Sequence, residues 1–150
     1  MKKTAVGIAV LTALSLLAIP SAASARPWSG NGFNDLGPAS VLLGVRNGQV
    51  KVKNVQFVMT CVDAADGMES PRAFFARFNN WENLNQNRFN IEFTANAGGR
   101  IGFVRLRGIL RSNGTGVARA YVRATGFGEM NEVVERCEGR ARVELHRGGN

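Results

Sequence analysis

Apolar and polar residues alternate with a period of two along most of the chain from residue 41 onward, and Gly and Asn separate the runs. A period of two places every second side chain on the same face, which is typical of half-buried β-strands. Few stretches follow the 3.6-residue period of a helix. The pattern predicts an all-β domain, an antiparallel β-sandwich of the immunoglobulin-like or jelly-roll-like kind.

The first hairpin is the clearest local element. Apolar residues alternate on both sides of Asn47-Gly48, a dipeptide that favours a two-residue turn. The pattern pairs Val45 with Val50 and Leu43 with Val52.

The alternation then slips by one residue at Lys53-Asn54 and resumes as Val55, Phe57, Met59 and Cys61. A slip of one residue indicates a β-bulge, because without it the following side chains would turn to the wrong face. Cys61 is therefore predicted to point inward.

Two further hairpins follow from the same alternation of inward and outward side chains. A four-residue loop at 96–99 would pair Phe93 with Gly102, and Gly102 would leave room for the Phe93 ring. A three-residue loop at 112–114, with its glycine in the left-handed region, would pair Leu106 with Ala120.

Two regions near the ends of these hairpins complete the pattern. Residues 71–78 are ambiguous, because Ser70-Pro71 fits a helix start while Phe74, Ala76 and Phe78 fit a strand, and we predict a strand. The last strand, residues 139–147, turns its apolar residues inward and its charged residues outward.

Residues 1–25 have the features of a signal peptide. Lys2 and Lys3 precede a short apolar run at 5–19, and Ala23-Ser24-Ala25 matches a signal peptidase site. The run is too short and wrongly flanked for a transmembrane segment, and no later run is long enough. We predict a secreted, extracellular protein whose mature chain begins at Arg26.

The mature chain is long enough for one domain. Residues 26–37 are rich in Gly and Asn, and we predict a flexible N-terminal lead-in there. The sandwich domain is predicted to occupy residues 38–148. No oligomeric state follows from the sequence.

Cys61 and Cys137 are the only cysteines. An even number of cysteines in an exported protein predicts a disulfide, since the compartment is oxidising. The bridge would close a loop of about 76 residues, which the chain-entropy model rates at roughly 4 to 5 kcal/mol of stability.

The leader, the Asn47-Gly48 hairpin, the two cysteines and the Arg-rich last strand together resemble a group of small secreted β-sandwich proteins from high-GC Gram-positive bacteria. The resemblance covers Val41 to Arg147 and rests on pattern. It implies the fold and the single disulfide. Most members of that group have no assigned function, so it implies no active-site residues.

The chain is basic, with 19 Lys and Arg against 11 Asp and Glu, and most of the cations are arginine. The predicted register places arginines and aromatic rings together on one outward sheet face and sets Arg107 opposite Arg119. Such a face is suited to nucleic acid or an anionic envelope polymer. The alternative is an ordinary solvated face with an arginine-biased composition. The candidate binding residues are Arg105, Arg107, Arg119, Tyr121 and Arg123.

A disulfide between the two cysteines would gather six carboxylates at one end of the domain. Calcium binds several carboxylate oxygens, but the spacing does not match a calcium loop, and nearby arginines are suited to neutralise the charge. We predict no metal and no cofactor, and calcium remains an open alternative. The carboxylates belong to Asp63, Asp66, Glu69, Glu132, Glu135 and Glu138.

An amide-rich loop at 79–87 contains Trp81, which would either stack on a sugar or anchor the loop by packing. Asn113-Gly114-Thr115 matches a glycosylation acceptor, but a hairpin turn accounts for it.

Evidence for catalysis is weak. His146 is the only histidine, and it shares its strand face with Glu144 and Arg142. Glu92 has no identifiable partner carboxylate. We predict a non-catalytic binding or structural module at the cell envelope or outside it, with an unknown ligand. The alternative is a small secreted hydrolase, either ribonuclease-like or glycosidase-like.

Overall fold

A computed structural model of the protein describes residues 26–97 and 99–148, so the predicted signal peptide lies outside the described residues. The described residues form strands, turns and loops, without a helix. The strands are β1 (Arg26–Asn34), β2 (Gly37–Arg46), β3 (Gln49–Asp63), β4 (Glu69–Ala76), β5 (Glu82–Asn83), β6 (Arg88–Ala97), β7 (Arg100–Leu110), β8 (Thr115–Phe127) and β9 (Val133–Arg147).

All strand pairings are antiparallel and form one sheet in the order β4-β3-β2-β1-β9-β8-β7-β6, with the short β5 beside β3. Consecutive strands are neighbours, so the chain forms two meanders, β1–β4 and β6–β9. Strands β1 and β9 join them. Beyond the point where β2 stops pairing with β3, the end of β3 pairs with β9 directly.

The sheet folds over on itself and encloses one face. The ring of Phe74 of β4 packs against Gly102 of β7, and these two strands are not neighbours in the sheet. At the open edges, the ring of Phe78, just after β4, stacks on Phe93 of β6 with the ring centroids 4.8 Å apart. The buried apolar side chains form a single cluster between these layers. The predicted all-β, antiparallel, sandwich-like fold is confirmed.

The prediction of a flexible lead-in at residues 26–37 is wrong for residues 26–34. These residues form β1, which pairs with β2 on one side and β9 on the other, and Trp28 is buried. The glycine content that suggests a loop has a packing reason. A side chain at Gly32 would collide with the backbone carbonyl of Arg142, so only glycine allows this approach of β1 to β9.

The first hairpin and its bulge are confirmed. Val45 lies opposite Val50 and Leu43 opposite Val52, and the register then shifts so that Lys53 is the extra residue. Asn47 and Gly48 both have positive φ, as a turn of this type requires.

The predicted register of the β6–β7 hairpin is wrong by two residues. Ala97 pairs with Arg100, so the loop has two residues, and Phe93 lies opposite Val104 rather than Gly102. The position of Phe89 agrees with this register. Residue 108 is glycine, and the Phe89 ring occupies the space that a side chain at that position would fill. A shift of two residues keeps every side chain on its predicted face.

The β7–β8 hairpin and the strand at residues 71–78 agree with the predictions. Leu106 lies opposite Ala120 across a three-residue loop, and Gly114 has a φ of 84°. Strand β4 extends from Glu69 to Ala76, so the helical alternative is excluded and the strand ends two residues earlier than predicted.

Candidate functional site

Three arginines lie side by side across the outer face of the sheet. In the pairing of β7, β8 and β9, Arg107 is directly opposite Arg119, and Arg119 is directly opposite Arg142. All three side chains are exposed. Directly opposed residues in antiparallel strands have Cβ atoms about 5 Å apart, and like charges at that distance are destabilising. We call these three residues the arginine row.

The adjacent cross-strand positions add more cations and aromatic rings. Tyr121 lies between Arg105 and Arg140, and Arg123 lies opposite Phe103. The five binding residues predicted from the sequence are therefore on one continuous surface.

This surface is concave. It forms a groove of about 840 Å³, which we call the arginine groove. The turn between β1 and β2 forms one wall, and Asn34 fixes that turn, because its Nδ2 donates to the Val58 carbonyl at 2.6 Å and its Oδ1 accepts from the Leu36 amide at 3.1 Å. The groove is lined by Phe33, Asn34, Asp35, Phe103, Arg105, Arg107, Arg119, Ala120, Tyr121, Arg123, Arg140, Ala141 and Arg142.

Acidic side chains neutralise only the borders of the arginine groove. Glu92 Oε1 lies 2.6 Å from Arg105 Nε and 3.9 Å from Arg107 Nη2. In the described part of the chain, Arg119 and Arg123 have no carboxylate partner. Arg123 lies opposite Glu138 in the β8–β9 pairing, so the positive charge is least compensated at Arg119, in the middle of the arginine row.

The remaining two arginines of the groove, both on β9, each have an acidic neighbour on their own strand. Arg140 Nη2 is 3.1 Å from Glu138 Oε1, and Arg142 Nη2 is 3.9 Å from Glu144 Oε1. These side chains are mostly exposed, so the solvent screens both pairs strongly.

Aromatic rings alternate with the arginines. The Arg105 guanidinium lies 5.6 Å from the Phe103 ring, and the Arg140 guanidinium lies 5.4 Å from the Tyr121 ring. Phe33 is 78% exposed and lies opposite Arg142 in the β1–β9 pairing, so its ring stands at the end of the arginine row.

A second groove of about 830 Å³ begins on the other side of the arginine row, and we call it the amide groove. The two grooves share the three arginines of the row, which therefore lie at the boundary between the grooves. The amide groove is lined by Asn83, Asn85, Gln86, Arg88, Phe89, Asn90, Arg107, Gly108, Ile109, Arg111, Val117, Arg119 and Arg142.

Sequence reasoning missed three parts of this site. Arg140 and Arg142 were predicted to point outward on the last strand, and a β8–β9 pairing register would have added them to the face. Phe33 had no usable signal, because its segment was predicted to be a loop. The amide groove depends on how the loop after β5 folds back, which parity does not encode.

The disulfide is confirmed. Cys61 of β3 lies opposite Cys137 of β9, and their Cα atoms are 3.9 Å apart. Together with Glu135 they form a cluster of metal-ligand residue types, but both sulfur atoms are in the disulfide and offer no thiolate.

The other acidic residues at this end of the domain contact backbone amides or arginines. Asp63 and Asp66 each accept a hydrogen bond from the amide two residues later, and Glu132 accepts one from Met130. Glu135 is 2.5 Å from Arg100. With the pair between Glu138 and Arg140, these contacts account for the positions of five of the six carboxylates considered above.

Trp81 is half-buried, and the Arg46 guanidinium lies 4.2 Å from the centroid of its ring system. This contact places a cation on the ring surface where a sugar would stack. In the β7–β8 turn, Asn113 Oδ1 accepts hydrogen bonds from the Thr115 amide and hydroxyl, so this asparagine has a structural role in the hairpin.

His146 is exposed near the end of β9, opposite Thr115 of β8 and Ser29 of β1. Glu144 and Arg142 share its face, as predicted. His146 lines neither groove.

Comparisons with protein-family models, with curated proteins and with solved structures found no match to this chain. Within residues 26–97 and 99–148, no helix has the length and apolar character needed to cross a membrane.

Proposed function

We propose that this protein is an exported, non-catalytic module that binds an anionic polymer through the arginine groove. The arginine row supports the proposal most strongly. Arg107, Arg119 and Arg142 place three like charges next to one another on an exposed sheet face, and Arg119 has no acidic partner among the described residues.

An anionic ligand bound to the arginine row would offset the repulsion among its three positive charges. Guanidinium groups bind phosphate, sulfate and carboxylate oxygens through paired, charge-assisted hydrogen bonds. A concave surface strengthens these interactions by partly excluding water. Six arginines line the groove, which favours a polymer with several anionic groups over a single small anion.

Export agrees with this function and rests on separate observations. The sequence begins with a signal-peptide pattern, and the disulfide belongs to an oxidising compartment. An exported protein meets anionic envelope polymers and extracellular nucleic acid.

The test compares two double variants that lose the same charge. Arg107→Gln with Arg119→Gln removes two cations from the arginine row, while Lys53→Gln with Arg77→Gln removes two exposed cations outside both grooves. Affinity for heparin, polyphosphate and a single-stranded oligonucleotide is measured from about 25 to 300 mM salt.

We expect the row variant to bind at least one of these polymers at least tenfold more weakly than the wild type. The slope of log affinity against log salt concentration should be smaller in magnitude by about 1.4, since each lost contact with a single-stranded polyanion reduces that slope by about 0.7. The control variant should retain most of the affinity. An equal loss in both variants, or no binding of any polymer by the wild type at low salt, overturns the proposal.

A further inference from the structure

Resting on the proposed function, we propose that the ligand is a single-stranded nucleic acid that lies along β8 through both grooves. Its phosphates would contact the arginine row, and its bases would stack on the exposed aromatic rings.

The first argument is continuity. Both grooves are lined by the arginine row, so they adjoin there, and we call the path that crosses the row from one groove to the other the track. The track follows β8 from Arg123 to Val117, and six residues of strand span about 20 Å. That length accommodates about four nucleotides, the lower end of the range for single-strand-binding domains.

The second argument is the exposure of the aromatic rings. Phe33 is 78% exposed and Phe103 is 37% exposed, and both line the arginine groove. A polyphosphate has no flat apolar group to cover them. Nucleic-acid bases do, and alternating stacking and phosphate contacts are how single strands are bound without sequence preference.

The third argument is the charge at the border of the groove. The β1–β2 turn places Asp35 in the lining of the arginine groove. A ligand whose negative charge is spread over a flat surface would meet this carboxylate together with the arginines, whereas a narrow, flexible strand can lie on the arginines beside it.

The fourth argument comes from the amide groove. Asn83, Asn85, Gln86 and Asn90 line it beyond the arginine row. Asn83 Oδ1 already accepts a hydrogen bond from Gln49 and Asn90 Oδ1 one from Arg107, so these two side chains offer a ligand mainly their NH2 donors. The amides of Asn85 and Gln86 can both donate and accept, which complements base edges, whereas a phosphate offers acceptors only. Bases that extend past the row would find these partners.

The experiment separates base contacts from charge. An eight-nucleotide oligo(dT) and a polyphosphate of similar charge are titrated into the wild type, into Phe33→Leu with Phe103→Leu, and into Phe75→Leu. Leucine keeps an apolar side chain but removes the ring, and Phe75 is an exposed phenylalanine outside both grooves.

At 100 mM salt we expect the wild type to bind oligo(dT) at least tenfold more tightly than polyphosphate. In the double variant, the affinity for oligo(dT) should fall at least tenfold and the affinity for polyphosphate less than twofold. Phe75→Leu should change neither affinity. Equal affinity for the two ligands, unchanged by the double variant, overturns the nucleic-acid proposal and leaves the proposed function intact. If the wild type binds no anionic polymer at low salt, both proposals fail.

A second measurement does not depend on the folding of the variants. The wild-type protein is irradiated with an oligonucleotide that contains 5-iodouridine, and the adducts are mapped by mass spectrometry. Adducts on Phe33, Phe103 or Tyr121 support the proposal. Adducts confined to residues outside both grooves overturn it.

Discussion

Arg119 of β8 lies directly opposite Arg107 of β7 on the exposed face of the sheet, and Arg142 of β9 adjoins Arg119 from the other side. Opposed like charges lower the stability of the free protein, and the proposed function assigns them the binding of an anionic ligand. Under this proposal, the charge of Arg119 lowers the free energy of unfolding but increases the affinity for an anionic ligand.

Arg119→Gln separates the two effects. We expect its free energy of unfolding to be unchanged or higher by up to about 1 kcal/mol, because a like-charge pair is removed on each side. Its affinity for the anionic polymer should fall. Chemical denaturation and a binding titration measure these quantities, with Arg77→Gln as the charge-matched control. A loss of stability greater than 1 kcal/mol with unaltered affinity would contradict this account.

Glu92→Gln should have the opposite effect on binding. Glu92 pairs with Arg105 at 2.6 Å and reaches Arg107 at 3.9 Å, so it competes with an anionic ligand for both arginines. We expect severalfold tighter binding at low salt. Stability should fall by less than about 1 kcal/mol, since the pair is more than one third exposed and screened by solvent.

The control for Glu92→Gln is Glu69→Gln, which removes an exposed acid at the start of β4, outside both grooves. The two variants have the same net charge. If they strengthen binding equally, the effect comes from overall charge, and the specific role of Glu92 is wrong.

The disulfide should contribute strongly to stability. It connects β3 to β9 where these strands pair directly, and it closes a separation of 76 residues. Replacing both cysteines with serine should lower the free energy of unfolding by roughly 4 kcal/mol, mainly because the unfolded chain gains conformational freedom. Urea denaturation of the variant and of the oxidised wild type gives the difference. A change below about 1 kcal/mol would show that the bridge adds little to the sheet pairing.

His146→Gln tests the alternative of a secreted hydrolase. His146 is exposed and lines neither groove, whereas a general acid or base acts from a site that positions it against its substrate. We expect wild type and variant to behave identically towards RNA, peptidoglycan and generic esters, with unaltered polymer affinity. An activity of the wild type that disappears in a correctly folded variant would identify the protein as an enzyme.

Parity was enough to predict most of the sheet and half of the site. Inward and outward sets follow directly from the period of two, so the inward direction of Cys61 could be predicted from the sequence. The opposition of Arg107 and Arg119 also needed the three-residue loop predicted at 112–114. A register error of two residues in the β6–β7 hairpin left these sets unchanged. Parity alone therefore does not distinguish the two registers, and the fit of Phe89 against Gly108 does.

The rest of the site depends on tertiary contacts that the local pattern does not contain. The glycines of strand β1 allow β9 to approach closely, and they give β1 the composition of a loop. For this reason neither the strand nor the role of Phe33 was predicted from the sequence. The arginine row became visible only when Arg142 was placed beside Arg119 by the β8–β9 pairing. Sequence periodicity specifies faces, whereas strand order and loop placement specify which faces combine.

The most direct test of the polyanion site is an NMR titration of the isotope-labelled mature protein with a short anionic polymer at low salt. We predict that the largest shift changes are in the Nε–Hε signals of Arg107, Arg119 and Arg142 and in the outward residues of β7, β8 and β9. These changes should disappear as salt rises. Changes concentrated on β3 and β4, or scattered over all exposed arginines, would contradict the account.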